Sequence, residues 1–256
     1  MISMIDAKLL TVFVTGATSG FGTAIARRFA EAGSRVIATG RRQDRLDDLK
    51  KEIGDRCHII RLDVRDRAAV DAAVAALPEA FRAVNVAVAN AGLALGLEPA
   101  HQTRMEDWET MVATNINGLL YTVRALLPGM VERDEGHVVL IGSVAADYPY
   151  PGGNVYGATK AFVKQFALNL RADLLGANVR VTNIEPGMAE TEFSLVRFKG
   201  DAEKAAVPYR GLEPMSAEDI AETIFWSCTL PRHLNINRMQ MMPLMQAFGP
   251  FAFKRD

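Results

Sequence analysis

Short apolar, β-branched runs alternate with segments of helical character along most of the chain, and this rhythm constrains the fold more than any other feature. Leu9 to Thr15 (LLTVFVT) reads as a buried strand ending in a glycine-rich turn. An amphipathic stretch from about Phe21 to Ala32 follows, with Gly33 as its C-cap. Further strands are predicted at Ser34 to Thr39, His58 to Val64, Asn85 to Asn90, His137 to Ile141 and Val179 to Ile184, with a last one between Ile236 and Met242. Helices are predicted at Asp44 to Ile53, Arg67 to Leu77, Met105 to Val131 with a break at Pro128, Tyr156 to Leu174, and Ser216 to Cys228. The last opens with Ser-x-x-Asp, a relative of the capping box. Strands and helices in this order predict an α/β fold of Rossmann type: a doubly wound parallel sheet of about seven strands with helices on both faces.

No repeat, linker or low-complexity tract divides the 256 residues, so 1–256 reads as a single domain. Met188 to Met215 breaks the rhythm with a connection of roughly 28 residues, a length that marks a lid over a site. The tail from Pro243 to Asp256, with Phe248, Phe251 and Phe253, is too short to be a domain.

A formal net charge of -1 argues against a broad electrostatic footprint for nucleic acid or an anionic membrane. Two cysteines and four scattered histidines provide neither a disulfide framework nor metal-ligand spacing, so no metal is expected. No apolar run reaches the ~18 residues of a membrane span. The N-terminus lacks the apolar core of a signal peptide, which predicts a cytoplasmic location; Met1 and Met4 are both candidate starts.

The first strand-turn-helix carries Thr15, Gly16, Ala17, Thr18, Ser19, Gly20, Phe21 and Gly22. Glycines here serve a tight turn, a close backbone approach to pyrophosphate, and close packing of helix on strand. The helix N-terminus then offers free N–H groups and a positive dipole end to phosphate. The spacing is G-x-x-x-G-x-G rather than the general G-x-G-x-x-G, and the bland alternative is a glycine turn with no ligand. After the second strand come Gly40, Arg41 and Arg42, with no acid at the strand end. Guanidinium groups pair with a 2′-phosphate that a carboxylate would repel, which favours NADP over NAD. The competing reading is two arginines solvating a surface turn.

Tyr156 and Lys160 are four apart on a predicted helix and share one face. A nearby ammonium lowers a tyrosine pKa from about 10, which would suit Tyr156 to act as a general acid and base. Ser143 follows the fifth strand, at the sheet edge where open α/β folds place ligands.

These pieces together resemble the short-chain dehydrogenase/reductase family over nearly the whole chain. The matching motifs are TGATSGFG at 15–22, LDV at 62–64, NAG at 90–92, Asn115, Ser143, YGATK at 156–160 and PGMAET at 186–191. The resemblance implies that Ser143 bonds the substrate oxygen, Tyr156 moves the proton, Lys160 bonds the nicotinamide ribose, and Asn115 holds a water behind the lysine. It also implies that Asp63 and Val64 line an adenine pocket, that Asn90, Gly92, Pro186 and Gly187 lie along the cofactor, and that Thr191 meets the carboxamide. Ala89 departs from the second asparagine that many members carry there.

A finer likeness is to NADP-dependent 3-hydroxy acid and serine dehydrogenases and to sulfoacetaldehyde reductases. It rests on NAGLALGLEPA at 90–100, EDWETM at 106–111, YPYPGGNVYGATKAF at 148–162, ETEFSLVRFKGD at 190–201 and LNINRMQMMPLMQAF at 234–248. The resemblance implies a small anionic substrate. Arg197 and Lys199 on the expected lid offer a clamp for it, unless they merely solvate the loop. Tyr148 and Tyr150 are candidates to line the substrate pocket, or else to fix a turn with Pro149 and Pro151. The motifs ETEFSLVRFKGD, YRG at 209–211 and PFAFKRD lean toward a sulfonate substrate, with 3-hydroxy acids the broader class. The rival readings are a broad carbonyl reductase for neutral substrates and a catalytically silent NADP sensor. The helices after Met105 and at Tyr156, with the tail, resemble the association surfaces of family tetramers and imply a homotetramer, although the same apolar faces would also pack within one subunit.

Overall fold

In the computed structural model, residues 4–249 are described; Met1, Phe251 and Phe253 lie outside them. Seven parallel strands form one sheet in the order β3-β2-β1-β4-β5-β6-β7. They are β1 Thr11–Thr15, β2 Arg35–Gly40, β3 Cys57–Arg61, β4 Val86–Ala89, β5 Gly136–Ile141, β6 Val179–Pro186 and β7 Arg238–Met241. The helices are α1 Gly20–Glu31, α2 Gln43–Ile53, α3 Arg67–Ala75, α4 Glu79–Arg82, α5 Met105–Val112, α6 Leu119–Glu132, α7 Asn154–Asp173, α8 Phe193–Arg197, α9 Ala202–Ala206 and α10 Ala217–Thr229.

The strands are buried on both faces, and their period of two divides the side chains between two cores. Val12, Val14, Val86, Val88 and Val139 pack with Ile25, Phe29, Ile220 and Ile224 from α1 and α10. Phe13, Ala87, Ala89, Val138 and Leu140 pack on the other side with Val123, Leu126, Val163 and Ala167 from α6 and α7. The strand order reverses between β1 and β4, so the C-terminal ends of those strands open onto a crevice, the ligand position of such sheets.

Several boundaries differ from the sequence expectation for local reasons. Ala7–Leu9 forms a 3-10 turn capped by Asp6, so β1 starts at Thr11 instead of Leu9. β3 stops at Arg61 because Asp63 turns the chain, its carboxylate accepting from the Arg65 N–H at 3.0 Å. The helix expected over Met105 to Val131 is interrupted by a π-helical turn at Ala113–Gly118, not by Pro128, which sits inside α6. Proline removes one helical hydrogen bond there, but Leu126 and Met130 on either side are buried in the core and hold the helix through it. Ser216 and Asp219 cap α10 reciprocally.

The 188–215 connection carries α8, α9 and a 3-10 turn at Val207–Tyr209. Its base is closed by a parallel bridge between Ala189 and Met215, with Glu190 N–H donating to the Met215 carbonyl at 2.9 Å. Among the described residues no helix is long and apolar enough to cross a membrane.

Candidate active site

The crevice at the strand reversal is lined by Gly16, Ser19, Gly20 and Phe21 from the glycine turn, Arg41 and Arg42 after β2, and Asp63 and Val64 after β3. Asn90 and Gly92 after β4, Ser143 after β5, Tyr156 and Lys160 on α7, and Pro186, Gly187 and Thr191 after β6 complete it. Elements far apart in sequence thus converge because parallel strands bring all their C-terminal ends to one edge.

Backbone geometry builds the turn. Gly16 has φ +69 and Gly20 φ +46, where a side chain would be strained. A Cβ on Gly22 would stand 2.2 Å from the Gly16 carbonyl oxygen, so only glycine lets α1 start this close to the strand. Thr15 and Gly22 do not line the crevice; they shape it from behind. The Thr15 hydroxyl accepts from the N–H groups of Asn90 and Ala91, both at 3.0 Å, which joins the β1 and β4 edges. Ser19 makes no capping hydrogen bond to α1, leaving the first N–H groups of that helix for another partner. This uncapped positive end beside bare glycine backbone fits a pyrophosphate.

The arginines after β2 have different surroundings. Arg42 donates from Nη2 to the Thr18 carbonyl at 2.7 Å, and from Nη1 to Glu192 at 2.9 Å. Arg41 lines the crevice and enters no ion pair or side-chain hydrogen bond among the described residues; its charge helps to hold the Asp63 carboxyl below its usual range. The main cause of that depression is Arg65, whose guanidinium grips Asp63 at 2.6 Å. These positive charges, with no acid at the end of β2, fit a 2′-phosphate.

Ser143 caps a 3-10 turn at Val144–Ala146, accepting from Ala145 N–H at 3.1 Å, and its hydroxyl lies near enough to Tyr156 to favour the phenolate. Lys160 is buried and donates to the Ile141 carbonyl at 2.7 Å, with its ammonium 5.8 Å from the centre of the Tyr156 ring. Asn115, in the π-helical turn, is not a crevice residue. Its amide brackets Leu93, accepting from the N–H at 2.9 Å and donating to the carbonyl at 2.8 Å, and reaches Thr159 at 3.1 Å. Such π turns occur often at functional positions, and this one ties the loop after β4 to α7.

Burial pushes the Tyr156 phenol up to about 12, whereas Lys160 is drawn down to about 8 by its own burial. The cation that opposes the rise at Tyr156 is Arg197, not the lysine expected from the i, i+4 spacing, and the Ser143 hydrogen bond acts in the same direction. Helical spacing places Lys160 on the same face, yet its ammonium is spent on the β5 carbonyl.

Arg197, the last residue of α8, sits in an aromatic cage. Its guanidinium carbon lies 5.0 Å from the Phe193 ring centre, 5.2 Å from Tyr156 and 5.8 Å from Tyr150. Nη2 donates to the Tyr150 hydroxyl at 2.9 Å, while Nε is buried with no hydrogen-bond partner. Tyr148 is elsewhere, which corrects its expected place: its hydroxyl bonds Gln240 at 3.2 Å and its ring lies 5.6 Å from Phe248. Tyr148 and Tyr150, two apart in the segment after Ser143, have different partners, so only Tyr150 faces the arginine. Lys199 is also drawn away, donating to Asp107 of α5 at 2.7 Å.

Comparison with known proteins gives the same picture. The family model described as short chain dehydrogenase matches residues 10–201. The chain belongs to this family. It is 58% identical over 248 residues to the NADP-dependent 3-hydroxy acid dehydrogenase YdfG of Salmonella typhi, covering 96% of this chain and all of that one. It is 53% identical over 246 residues to the serine 3-dehydrogenase of Agrobacterium fabrum, covering 96% and 98% of the two chains. Among solved structures, the closed form of a serine dehydrogenase complexed with NADP+ superposes with a TM-score of 0.92 at 56% identity, over 96% of this chain and 99% of that one. Serine dehydrogenase from Escherichia coli gives 0.83 at 53% identity, over 93% and 99%.

In this short-chain dehydrogenase the sequence reading passed over Thr18, Arg65, Phe193 and Glu192, all of which line the crevice. Thr18 lay in plain view within the glycine turn. Glu192 and Phe193 fall within the ETEFSLVRFKGD segment, but no local pattern marked them as site residues, because only the fold of the 188–215 connection brings them to the site.

Proposed function

We propose that this chain is an NADP-dependent oxidoreductase that interconverts a small 3-hydroxy acid and the corresponding acidic aldehyde, with Ser143, Tyr156 and Lys160 at the chemistry. Arg197 carries the reading: a guanidinium in an aromatic cage beside Tyr156, with a buried Nε lacking a partner, suits a carboxylate or sulfonate held next to the reacting carbon. The glycine turn, the uncapped start of α1, and Arg41 and Arg42 would hold NADP, which supplies or accepts the hydride.

Tyr156 is neutral at neutral pH, its pKa being about 12, so it is ready to donate a proton to a carbonyl oxygen that Ser143 also bonds. In the oxidative direction the same tyrosine must take the proton, and the positive charge of Arg197 favours its anionic form. The Asn115 amide holds the Leu93 backbone and α7 in register behind the lysine. In this reading the 188–215 connection acts as a lid: Gly96 N–H donates to the Arg197 carbonyl at 2.9 Å, which ties the end of α8 to the loop after β4, and closure would shield the reaction from water.

Exposed Met105, Val112 and Val131 on α5 and α6, Leu168 on α7, and Leu244 and Phe248 in the tail support assembly into a homotetramer. The protein would work in the cytoplasm.

NADPH oxidation with malonic semialdehyde, sulfoacetaldehyde and a neutral aldehyde tests the substrate reading. The wild type is expected to prefer an acidic aldehyde, and the better of the two acids identifies the anion. Arg197→Ala should lose most of that preference, a loss of about tenfold to a hundredfold for a charge-assisted pair in a buried cage. Equal rates on all three aldehydes, unchanged by the substitution, would leave a broad carbonyl reductase.

A further inference from the structure

We propose that Glu192 is a latch that positions the anion clamp by pairing with Arg42, and that reading the 2′-phosphate falls chiefly to Arg41. The proposal rests on Arg197 being the substrate clamp. It starts from the division of labour between the two arginines. Arg42 is already engaged on three sides and adds to NADP binding mainly as a nearby charge: Nε points to the Thr18 hydroxyl at 3.4 Å, Nη2 donates to the Thr18 carbonyl at 2.7 Å, and Nη1 donates to Glu192 at 2.9 Å. Arg41, one residue earlier and also on the crevice wall, makes no such commitment among the described residues.

The place of Glu192 in the chain gives the pair its meaning. It is the N-cap residue of α8, and Arg197 is the last residue of the same helix. The Glu192 carbonyl accepts from Val196 N–H at 3.0 Å, so the carboxylate and the guanidinium are joined by a single turn and a half of helix. One end of α8 is fixed to the wall of the cofactor crevice through Arg42, with Arg45 a second cation 3.8 Å from the same carboxylate. The other end carries the clamp into its cage, and Phe193 between them lies 5.6 Å from the Tyr156 ring. A displacement of Glu192 would therefore move Arg197 relative to the catalytic tyrosine.

Thr18 connects this latch to the cofactor turn. It holds Arg42 by both carbonyl and hydroxyl, and Gly40 is needed for the approach, since a Cβ there would stand 2.5 Å from the Thr18 methyl. Arg42 is thus pre-positioned before the lid arrives, which reduces the side-chain entropy lost in making the pair. Both partners remain more than a third exposed, at 40% and 37%, so the effect of the pair is a few-fold and not a collapse of the site.

The test uses Glu192→Gln, Arg42→Gln, their double variant and Arg41→Ala in the full-length protein. Three quantities are measured: NADP+ affinity by calorimetry, hydrogen exchange of segment 193–199 in the protein without ligands, and KM and kcat for the hydroxy acid at saturating NADP+. Glu192→Gln is expected to speed exchange in 193–199 and raise KM about three- to fivefold, with kcat nearly unchanged and NADP+ affinity no weaker than wild type. Arg42→Gln should match it in exchange and KM, and the double variant should be no worse than either single change. Arg41→Ala should weaken NADP+ binding at least tenfold and leave exchange in 193–199 unaltered.

Unchanged exchange in Glu192→Gln would overturn the latch, as would defects that add in the double variant. Arg41→Ala with wild-type NADP+ affinity would overturn the assignment of the phosphate. Should Arg197→Ala retain the preference for acidic substrates, the clamp reading fails on its own. Exchange in 193–199 then judges the latch without reference to substrate.

Discussion

The glycine turn at 15–22 and the connection at 188–215 face each other across one crevice, yet they are specified in opposite ways. In the turn, backbone does the work: positive φ at Gly16 and Gly20, and a Gly22 with no room for a Cβ. In the connection, side chains do it: Glu192 to Arg42, Arg197 to Tyr150, and Lys199 to Asp107 hold short helices that would not be stable alone. A site that must grip a constant cofactor is built from the part of the chain that cannot rearrange. The connection, which we propose admits and releases substrate, is built from contacts that can be broken one at a time.

The sharpest break would come from Tyr156, which stands on rigid α7 and meets the connection through Arg197. Tyr156→Phe keeps the ring that Arg197 and Phe193 pack against but removes the transferable proton, so kcat should fall by about 10²–10⁴ with NADP+ binding retained. Arg197→Ala should act chiefly on KM for acidic substrates. Steady-state kinetics separates the two, and a matching kcat loss in both variants would erase the division between scaffold and connection.

A smaller contrast compares two glycines. Gly22→Ala pushes a methyl against the Gly16 carbonyl and the Asn90 amide, contacts of 2.2 and 2.7 Å that backbone cannot easily relieve. It should cost about 1–3 kcal/mol of stability and weaken NADP+ binding at least tenfold. Gly200→Ala lies in the connection at φ +91 with nothing within 4 Å. There the cost is local backbone strain of about 1–2 kcal/mol, and NADP+ affinity should not change. Denaturant melts and calorimetry on both variants check the pair; loss of cofactor binding in Gly200→Ala would mean that the connection is not separable from the turn.

The same contrast governs what could be read from the sequence. The glycine turn, Ser143, and the Tyr156–Lys160 pair carry their information in local spacing, and the strand order then delivers them to one edge. Arg197 was recognisable as a candidate, but its cage was not. Tyr148 and Tyr150 are indistinguishable in sequence, and only the path of the turn after Ser143 sends one to Gln240 and the other to Arg197. Glu192 and Phe193 have no local pattern, since their partners Arg42 and Tyr156 lie 150 and 37 residues away in sequence. Pro128 shows the reverse error: a strong local signal overridden by core packing on both sides.

The smallest predicted effect separates the regions by pH. His137 is buried in β5, its Nε2 sharing a hydrogen bond with Thr182 at 2.7 Å and its Nδ1 without a partner. Burial, and then the charge of Arg180, holds its pKa well below the usual 6.5. The folded protein therefore keeps His137 neutral at a pH where the unfolded chain binds a proton. Its contribution to stability is complete above pH 6.5 and is lost as pH falls toward the folded-state pKa, by at most about 1.4 kcal/mol per pH unit. Carboxylates such as Asp63, held low by Arg65, add to the loss only near and below pH 4. In contact with the connection, burial raises the pKa of Tyr150 and Tyr209, so those groups withdraw stability only as pH rises above about 10. Mild acid should thus act on the sheet, and alkali on the buried tyrosines around Arg197, Tyr156 of α7 included, since burial raises its pKa to about 12. Thermal midpoints between pH 7.5 and pH 5.5 should drop in the wild type and drop less in His137→Gln, which leaves the shallower His58 in place. Equal drops in the two proteins would locate the acid sensitivity outside β5 and remove this distinction between the sheet and the 188–215 connection.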